Sequence, residues 1–105
     1  RALGVSSLQR LAAASEIPTI AEQGMPGFEA VQWYGLVAPA RTPLAIIARL
    51  NTESARILKG EKLQPRLEAE GAVAAPGTPE EFGRFITAER ERWGDVIRRT
   101  GVQAN

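Results

Sequence analysis

Apolar residues in the second half of the chain recur with the period of an amphipathic helix. The first such run follows Thr42-Pro43 and stops before Gly60. A threonine oxygen can cap the amides at a helix start, and a proline at the first position gives up no needed hydrogen bond. The pattern therefore predicts a helix capped by Thr42. The residues that recur at helical spacing are Ile46, Ile47, Leu50, Ser54, Ile57 and Leu58.

A second, shorter helix is predicted over residues 61 to 70, where Leu63 and Leu67 are spaced to face inward. Proline is tolerated in the first turn of a helix but not in its interior, so this prediction requires Pro65 to lie in the first turn. Gly71 is typical of a residue that ends a helix. The next five residues, 72 to 76, predict a short strand or an extended connector.

The start of the last helix is predicted by a capping box. Thr78 and Glu81 have the spacing at which each side chain accepts a hydrogen bond from the other residue's backbone amide. The helix is predicted to run to Thr100 and to end at Gly101. Its apolar face consists of Phe82, Phe85, Ile86, Trp93, Val96 and Ile97.

The first half of the chain shows no helical period. Residues 2 to 6 predict a short strand, and residues 7 to 18 predict a loop. Residues 19 to 23 predict a single helical turn, which Gly24 terminates. The segment from 28 to 38 contains apolar residues without helical spacing and lies between proline and glycine residues, which predicts extended chain.

Trp33 and Tyr34 adjoin within this extended segment, so their side chains are expected to point to opposite faces. One ring can then pack in a core while the other faces a binding cleft. For either ring taken alone, core packing is the alternative interpretation. Ser6, at the end of the first predicted strand, is a second candidate for hydrogen bonding to a ligand, the alternative being a turn serine that bonds its own backbone.

Composition is that of an ordinary globular protein and suits one small domain. The 105 residues are 44% hydrophobic and 24% charged, which argues against disorder. The net charge is +1, and basic residues are interleaved with acidic ones, so no nucleic-acid partner is expected.

Histidine and cysteine are both absent, which removes thiolate catalysis, the usual zinc ligands and the commonest general base. The paired carboxylates Glu80 and Glu81 are explained by the first turn of a helix, where negative charge is favoured. The run Glu89, Arg90, Glu91 and Arg92 predicts a solvated helix face. We therefore expect neither an enzyme nor a metal or cofactor site.

Four motifs in order give the chain a family resemblance. They are P-T-x-x-E-x-G at 18 to 24, W-Y-G-L-x-A-P at 33 to 39, T-P-E-E-F at 78 to 82 and E-x-x-R-W-G at 89 to 94. In this combination the chain closely resembles the C-terminal part of the Bug-type, or TctC-like, substrate-binding receptors of tripartite tricarboxylate transporters.

The resemblance implies an α/β fold: a C-terminal fragment of a two-lobed periplasmic-binding-protein-like architecture (Venus flytrap, type II), helix-rich with a few short strands. Residues 1 to 32 would be the remnant of one lobe. Residues 33 to 40 would form the crossover strand and hinge between lobes. Residues 41 to 105 would supply helices that pack on the other lobe.

The function implied by the resemblance is that of a periplasmic receptor that captures small organic acids such as carboxylates. It would deliver them to the membrane permease subunits of the transporter. The positions expected near the cleft are Ser6, Glu22, Trp33 and Tyr34. Without the rest of the receptor, the chain is expected to expose apolar surface and to form homo-oligomers. The alternative is a self-associating structural or interaction module, without enzymatic activity, from a truncated gene.

Overall fold

The computed structural model describes residues 1–102 and is helical in its second half. A short 3-10 turn, Ala12–Ala14, is followed by α1 (Leu44–Leu58), α2 (Gln64–Ala69) and α3 (Pro79–Thr100). Within residues 1–102 the only β pairing is a parallel bridge between Val5 and Thr19. The prediction of a helix-rich chain is confirmed, whereas the strand predicted at residues 2 to 6 is reduced to this one bridge.

Three pieces of backbone meet around the bridge. Val5 donates its amide to the Pro18 carbonyl at 3.0 Å and accepts from the Ile20 amide at 2.9 Å. On the neighbouring residue, the Ser6 carbonyl accepts from the Ala30 amide at 2.9 Å. Because successive residues of extended chain turn their polar groups to opposite edges, the Val5-Ser6 pair lies between the other two pieces.

The start of α1 differs from the prediction. Pro43 occupies the N-cap position, and no side chain caps the helix. The Thr42 hydroxyl instead donates to the Pro39 carbonyl at 2.8 Å, closing a turn in which Arg41 has a φ of 71°. The predicted Thr42 cap is therefore wrong, because the preceding turn engages this hydroxyl. The predicted end is close: α1 stops at Leu58, two residues before Gly60.

The second helix, α2, is shorter than predicted, because residues 61 to 63 form a turn before it. Pro65 lies in its first turn, as required. Gly71 adopts a left-handed φ of 64°, and the Ala72 amide donates to the Leu67 carbonyl at 2.8 Å. Both features end the helix in the expected way. Residues 72 to 76 form a connector without strand pairing among the described residues.

Both ends of α3 match the prediction. The Glu81 amide donates to Thr78 Oγ1 at 3.1 Å, and the Thr78 amide donates to Glu81 Oε2 at 2.8 Å. At the other end Gly101 is left-handed, with φ 69°. In the part of the chain that the structure describes, neither α3 nor any other helix has the length and apolar character needed to cross a membrane.

Residues 1–102 do not enclose a hydrophobic core. Thr19, 1% exposed, is the one buried residue among them. Helix α1 contacts α3, and α2 contacts the 3-10 turn. Large apolar side chains on the segment before α1 stay open: Leu36 is 80% exposed and Val37 is 81% exposed. On α1, Leu44 is 85% exposed and Leu50 is 53% exposed, so this helix also has apolar surface that the described residues do not cover.

Candidate functional site

The four predicted site residues fall in two parts of the molecule. Ser6 and Glu22 flank the backbone bridge, whereas Trp33 and Tyr34 lie on the segment that leads to α1. No hydrogen bond joins any two of the four within residues 1–102. Ser6 is half-buried, and its carbonyl is bonded to Ala30. A ligand role for its hydroxyl stays a prediction.

Glu22 braces the turn that follows the bridge. Its Oε2 accepts from the Thr19 amide at 2.7 Å and from Arg10 Nε at 3.0 Å. The Glu22 amide in turn donates to Thr19 Oγ1 at 3.0 Å. This is the reciprocal arrangement of a capping box, on a turn that Gly24 ends with a φ of 108°. The motif P-T-x-x-E-x-G is thereby explained by local backbone satisfaction.

The Glu22 pKa is held below its ordinary value. The hydrogen bond from Arg10 is the largest cause, followed by the bond from the Thr19 amide. An ionised carboxylate with two such donors is already engaged. A ligand that approached Glu22 would have to share these bonds or displace Arg10.

Trp33 packs against α3. Its ring lies edge-on to Phe82, with centroids 5.8 Å apart and planes at 87°, and edge-on to Phe85 at 5.2 Å and 77°. Such edge-to-face pairs are the favoured aromatic geometry. The indole nitrogen also donates to Glu89 Oε2 at 3.3 Å. Trp33 therefore ties the segment before α1 to the last helix.

Glu89 is a functional candidate that the sequence interpretation missed. Its place in the charged run from 89 to 92 predicts a solvated face, but its side chain is only 13% exposed. Its Oε2 accepts from Trp93 Nε1 at 3.0 Å as well as from Trp33, while its Oε1 accepts from Arg92 at 3.2 Å. The signal was present: Glu89 and Trp93 are four residues apart and share one helix face.

Gly35 allows the segment to approach α3 closely. A Cβ built on Gly35 would lie 2.8 and 2.9 Å from Phe82 Cε1 and Cε2, and nearer still to Cζ. No side chain fits at that distance without movement of the ring. The glycine of the W-Y-G motif is thus explained by packing.

Tyr34 faces away from α3 and is 87% exposed. Gln32 Nε2 donates to its hydroxyl oxygen at 2.7 Å. Because the oxygen accepts this bond, the hydroxyl proton is available for an outward acceptor. Trp33 and Tyr34 therefore point to opposite sides, as predicted from their adjacency.

Three carboxylates, one on the turn after the bridge and two in α3, have a pKa below the ordinary value. This gives a prediction for the stability of the fold at acid pH. Glu22, Glu81 and Glu89 are lowered mainly by hydrogen bonds from Arg10, from the Thr78 amide and from Trp93, respectively. A carboxyl whose folded pKa is depressed stabilises the fold above its unfolded pKa, and this contribution is lost as pH falls through the folded pKa. We expect stability to decline below about pH 4.

Urea unfolding of the complete gene product at several pH values measures this decline. Glu89→Gln removes one titrating group, so its curve should be flatter at low pH than the wild-type curve. If the free energy of unfolding falls equally steeply with pH in the wild type and in Glu89→Gln, the lowered pKa of Glu89 is contradicted. Glu91→Gln serves as the control, since Glu91 is exposed.

Within residues 1–102, no group of three or more histidine, cysteine, aspartate or glutamate side chains has the arrangement needed to hold a metal ion. Two open grooves lie along helix surfaces. The α3 groove is lined by Thr87, Arg90, Glu91, Asp95 and Arg98. The α1 groove is lined by Ala45, Ile46, Arg49, Leu50 and Glu53. Each is lined by residues of a single helix, so neither is an enclosed site.

A family model described as the tripartite tricarboxylate transporter family receptor, TctC, matches residues 1–102. The chain belongs to this receptor family. A UPF0065 protein in the tcbD-tcbE intergenic region of Pseudomonas sp. is 40% identical over 106 residues, which cover 100% of this chain and 32% of that protein. Protein BugT of Bordetella pertussis is 35% identical over 103 residues, which cover 98% of this chain and 32% of BugT.

Two solved structures share the fold of this chain. A structure described as R. palustris Rpa4515 with adipate matches with a TM-score of 0.81 and 36% identity, over 94% of this chain and 33% of that one. The periplasmic binding protein BugD matches with a TM-score of 0.82 and 28% identity, over 97% of this chain and 35% of the BugD chain. This TctC-family chain spans about a third of the length of these relatives. The predicted family and fold class are confirmed.

Proposed function

We propose that this chain is part of an extracytoplasmic receptor that captures small organic acids, such as carboxylates, for a tripartite tricarboxylate transporter. The observation that carries the proposal is the match of the receptor family model to residues 1–102. A structural relative named with adipate, a dicarboxylate, supports the class of solute. The proposed location is the periplasm, and the proposed partners are the membrane permease subunits.

The proposed organisation has three parts. Residues 1 to 32 belong to one lobe, residues 33 to 40 cross between lobes, and residues 41 to 105 supply helices to the other lobe. The last three residues, 103 to 105, lie outside the described range. The support is geometric: the backbone bonds around the Val5–Thr19 bridge join residues of the first part only, and Trp33 makes its contacts with a helix of the third. The first and third parts also touch, where the 3-10 turn contacts α2. Closure would occur by a hinge motion about the crossing segment.

Of the four predicted cleft residues, Tyr34 has the geometry best suited to contact a solute. Its side chain is exposed, and its hydroxyl proton is available to a carboxylate oxygen. Trp33 and Glu22 are held by α3 and by Arg10, so they would act by shaping the surroundings of the cleft. Ser6 would lie at the edge of the first lobe.

A thermal-shift and calorimetry screen of the complete gene product tests this proposal. Adipate, citrate and benzoate represent dicarboxylates, tricarboxylates and aromatic acids. A bound solute raises apparent stability by about 2.7 kcal/mol at one hundred times its Kd. Tyr34→Phe removes only the hydroxyl and should weaken binding by about five- to tenfold. The receptor proposal fails if no organic acid binds, whereas unchanged affinity of the Tyr34→Phe variant would exclude only the role of Tyr34.

Self-association is the second candidate function, and it is favoured by the open apolar surface. Leu36, Val37 and Leu44 are 80%, 81% and 85% exposed. Exposed apolar side chains of this size promote association. We expect the 105-residue chain, produced alone, to form dimers or larger species in size-exclusion chromatography with light scattering. A monomer at high concentration would contradict the expectation, and Val37→Lys should shift the equilibrium toward monomer.

A further inference from the structure

One face of α3 combines aromatic rings with a carboxylate. Phe82, Phe85, Glu89 and Trp93 are separated by three, four and four residues, so they form a continuous stripe along the helix. Glutamate is among the residues least often buried unless it is paired. Glu89 nevertheless sits within this stripe with its side chain 13% exposed. Its surroundings must therefore satisfy the carboxylate.

Both tryptophans of the chain donate hydrogen bonds to the Glu89 carboxylate. Trp33 and Trp93 each have a single hydrogen-bond donor, the indole N–H, and both donate to Oε2 of Glu89, at 3.3 and 3.0 Å. Arg92 occupies the other oxygen at 3.2 Å, and its guanidinium lies 5.2 Å from the Trp93 ring centroid. Trp33 and Trp93 are each 39% exposed, and loss of the carboxylate would remove the acceptor that both indole donors share.

The bond from Trp33 bridges distant parts of the sequence. Trp33 and Glu89 are 56 positions apart, whereas the ion pairs of α3 join residues three apart. Two residues after Trp33, Gly35 lies against Phe82. Positions 33 and 35 thus face the helix, and Tyr34 between them faces outward.

We propose that Glu89 is a positioning residue: its carboxylate, shared between two indoles, locks the segment from 32 to 36 onto α3 in the orientation that turns Tyr34 outward. That this segment crosses between the lobes of a receptor rests on the proposed function. The attachment to α3 does not, since it is defined by contacts among residues of this chain.

Aromatic packing alone is the competing explanation, because Phe82 and Phe85 also contact Trp33. The two explanations predict different effects of substitutions at position 89. Glu89→Leu keeps the stripe apolar but removes both carboxylate oxygens, including the one that accepts from the two indoles. Glu89→Gln keeps an amide oxygen that can accept from both indoles. Packing alone predicts that leucine is tolerated, whereas the lock predicts that only glutamine is.

Hydrogen–deuterium exchange of the complete gene product, without any solute, provides the first measurement. In Glu89→Leu we expect the indole N–H protons of Trp33 and Trp93, which donate to Glu89 in the wild type, to exchange about tenfold faster, the change expected when a hydrogen bond is lost. Glu89→Gln should return most of the protection. Glu91→Leu is the matched control, two residues along the same helix and exposed, and should leave the exchange of both indole protons unchanged.

The indole N–H resonances provide the second measurement, in protein labelled with ¹⁵N at tryptophan. Trp33→Phe and Trp93→Phe assign the two signals. Both should move upfield in Glu89→Leu, stay near their wild-type positions in Glu89→Gln, and be unaffected in Glu91→Leu. If leucine at position 89 leaves both exchange and indole shifts at wild-type values, the lock is excluded. Because no solute enters either measurement, failure of the lock is distinguishable from failure of the receptor proposal.

Discussion

Replacing Gly35 with alanine is expected to lower the free energy of unfolding by about 1–3 kcal/mol, the usual cost of overpacking. The added methyl would overlap the ring of Phe82. That ring has little room to move, because it is edge-on to Trp33 and stacked on Phe85, with centroids 6.4 Å apart. The substitution should therefore push the segment off α3.

Chemical unfolding of the complete gene product measures this cost. Gly83→Ala is the matched control: no atom lies within 4 Å of a Cβ built there, and alanine in a helix interior gains up to about 1 kcal/mol over glycine. Gly35→Ala should cost less in a Phe82→Leu background than in the wild type, since the obstructing ring is then absent. Gly35→Ala with wild-type stability would show that the segment does not approach α3 as closely as described.

Replacing Thr19 with valine is expected to cost about 1–2 kcal/mol. Valine keeps the shape of threonine but removes the oxygen that accepts from the Glu22 amide. Thr19 is 1% exposed, so water cannot easily replace this acceptor. The turn held by Glu22 should loosen, together with the backbone bridge to Val5.

Thr78→Val provides an internal comparison, because Thr78 forms the same reciprocal pair at the exposed start of α3. Water can reach the Glu81 amide there, so we expect the smaller cost of about 0.5–1 kcal/mol typical of an exposed cap. Unfolding free energies of the two variants decide the matter. A larger loss in Thr78→Val than in Thr19→Val would contradict the role of burial.

Glu22 belongs to a motif whose spacing fits a local backbone interaction. The spacing T-x-x-E occurs at Thr19 as well as at Thr78, and only at Thr78 does a long helical period follow that predicts a capping box. The first is a capping box too, on a turn instead of a long helix. The ligand role proposed for Glu22 is untested, but the bonds to Thr19 and Arg10 already explain the residue.

The sequence by itself determined the three helices, the capping box at Thr78 and the glycine stops at 71 and 101. These features depend on residues a few positions apart, so the amino-acid pattern contains all the partners involved. It also determined the receptor family, through an ordered set of motifs.

Only the tertiary structure decided the roles of Glu89 and Gly35. The partner of Gly35 is Phe82, and one partner of Glu89 is Trp33, 56 positions away. The run of charges around Glu89 predicts a solvated helix face. The helical period shows which residues share a face of the helix, but it does not show which distant segment packs against that face. Because the segment around Trp33 packs on α3, the Glu89 carboxylate accepts hydrogen bonds from the indoles of both Trp33 and Trp93.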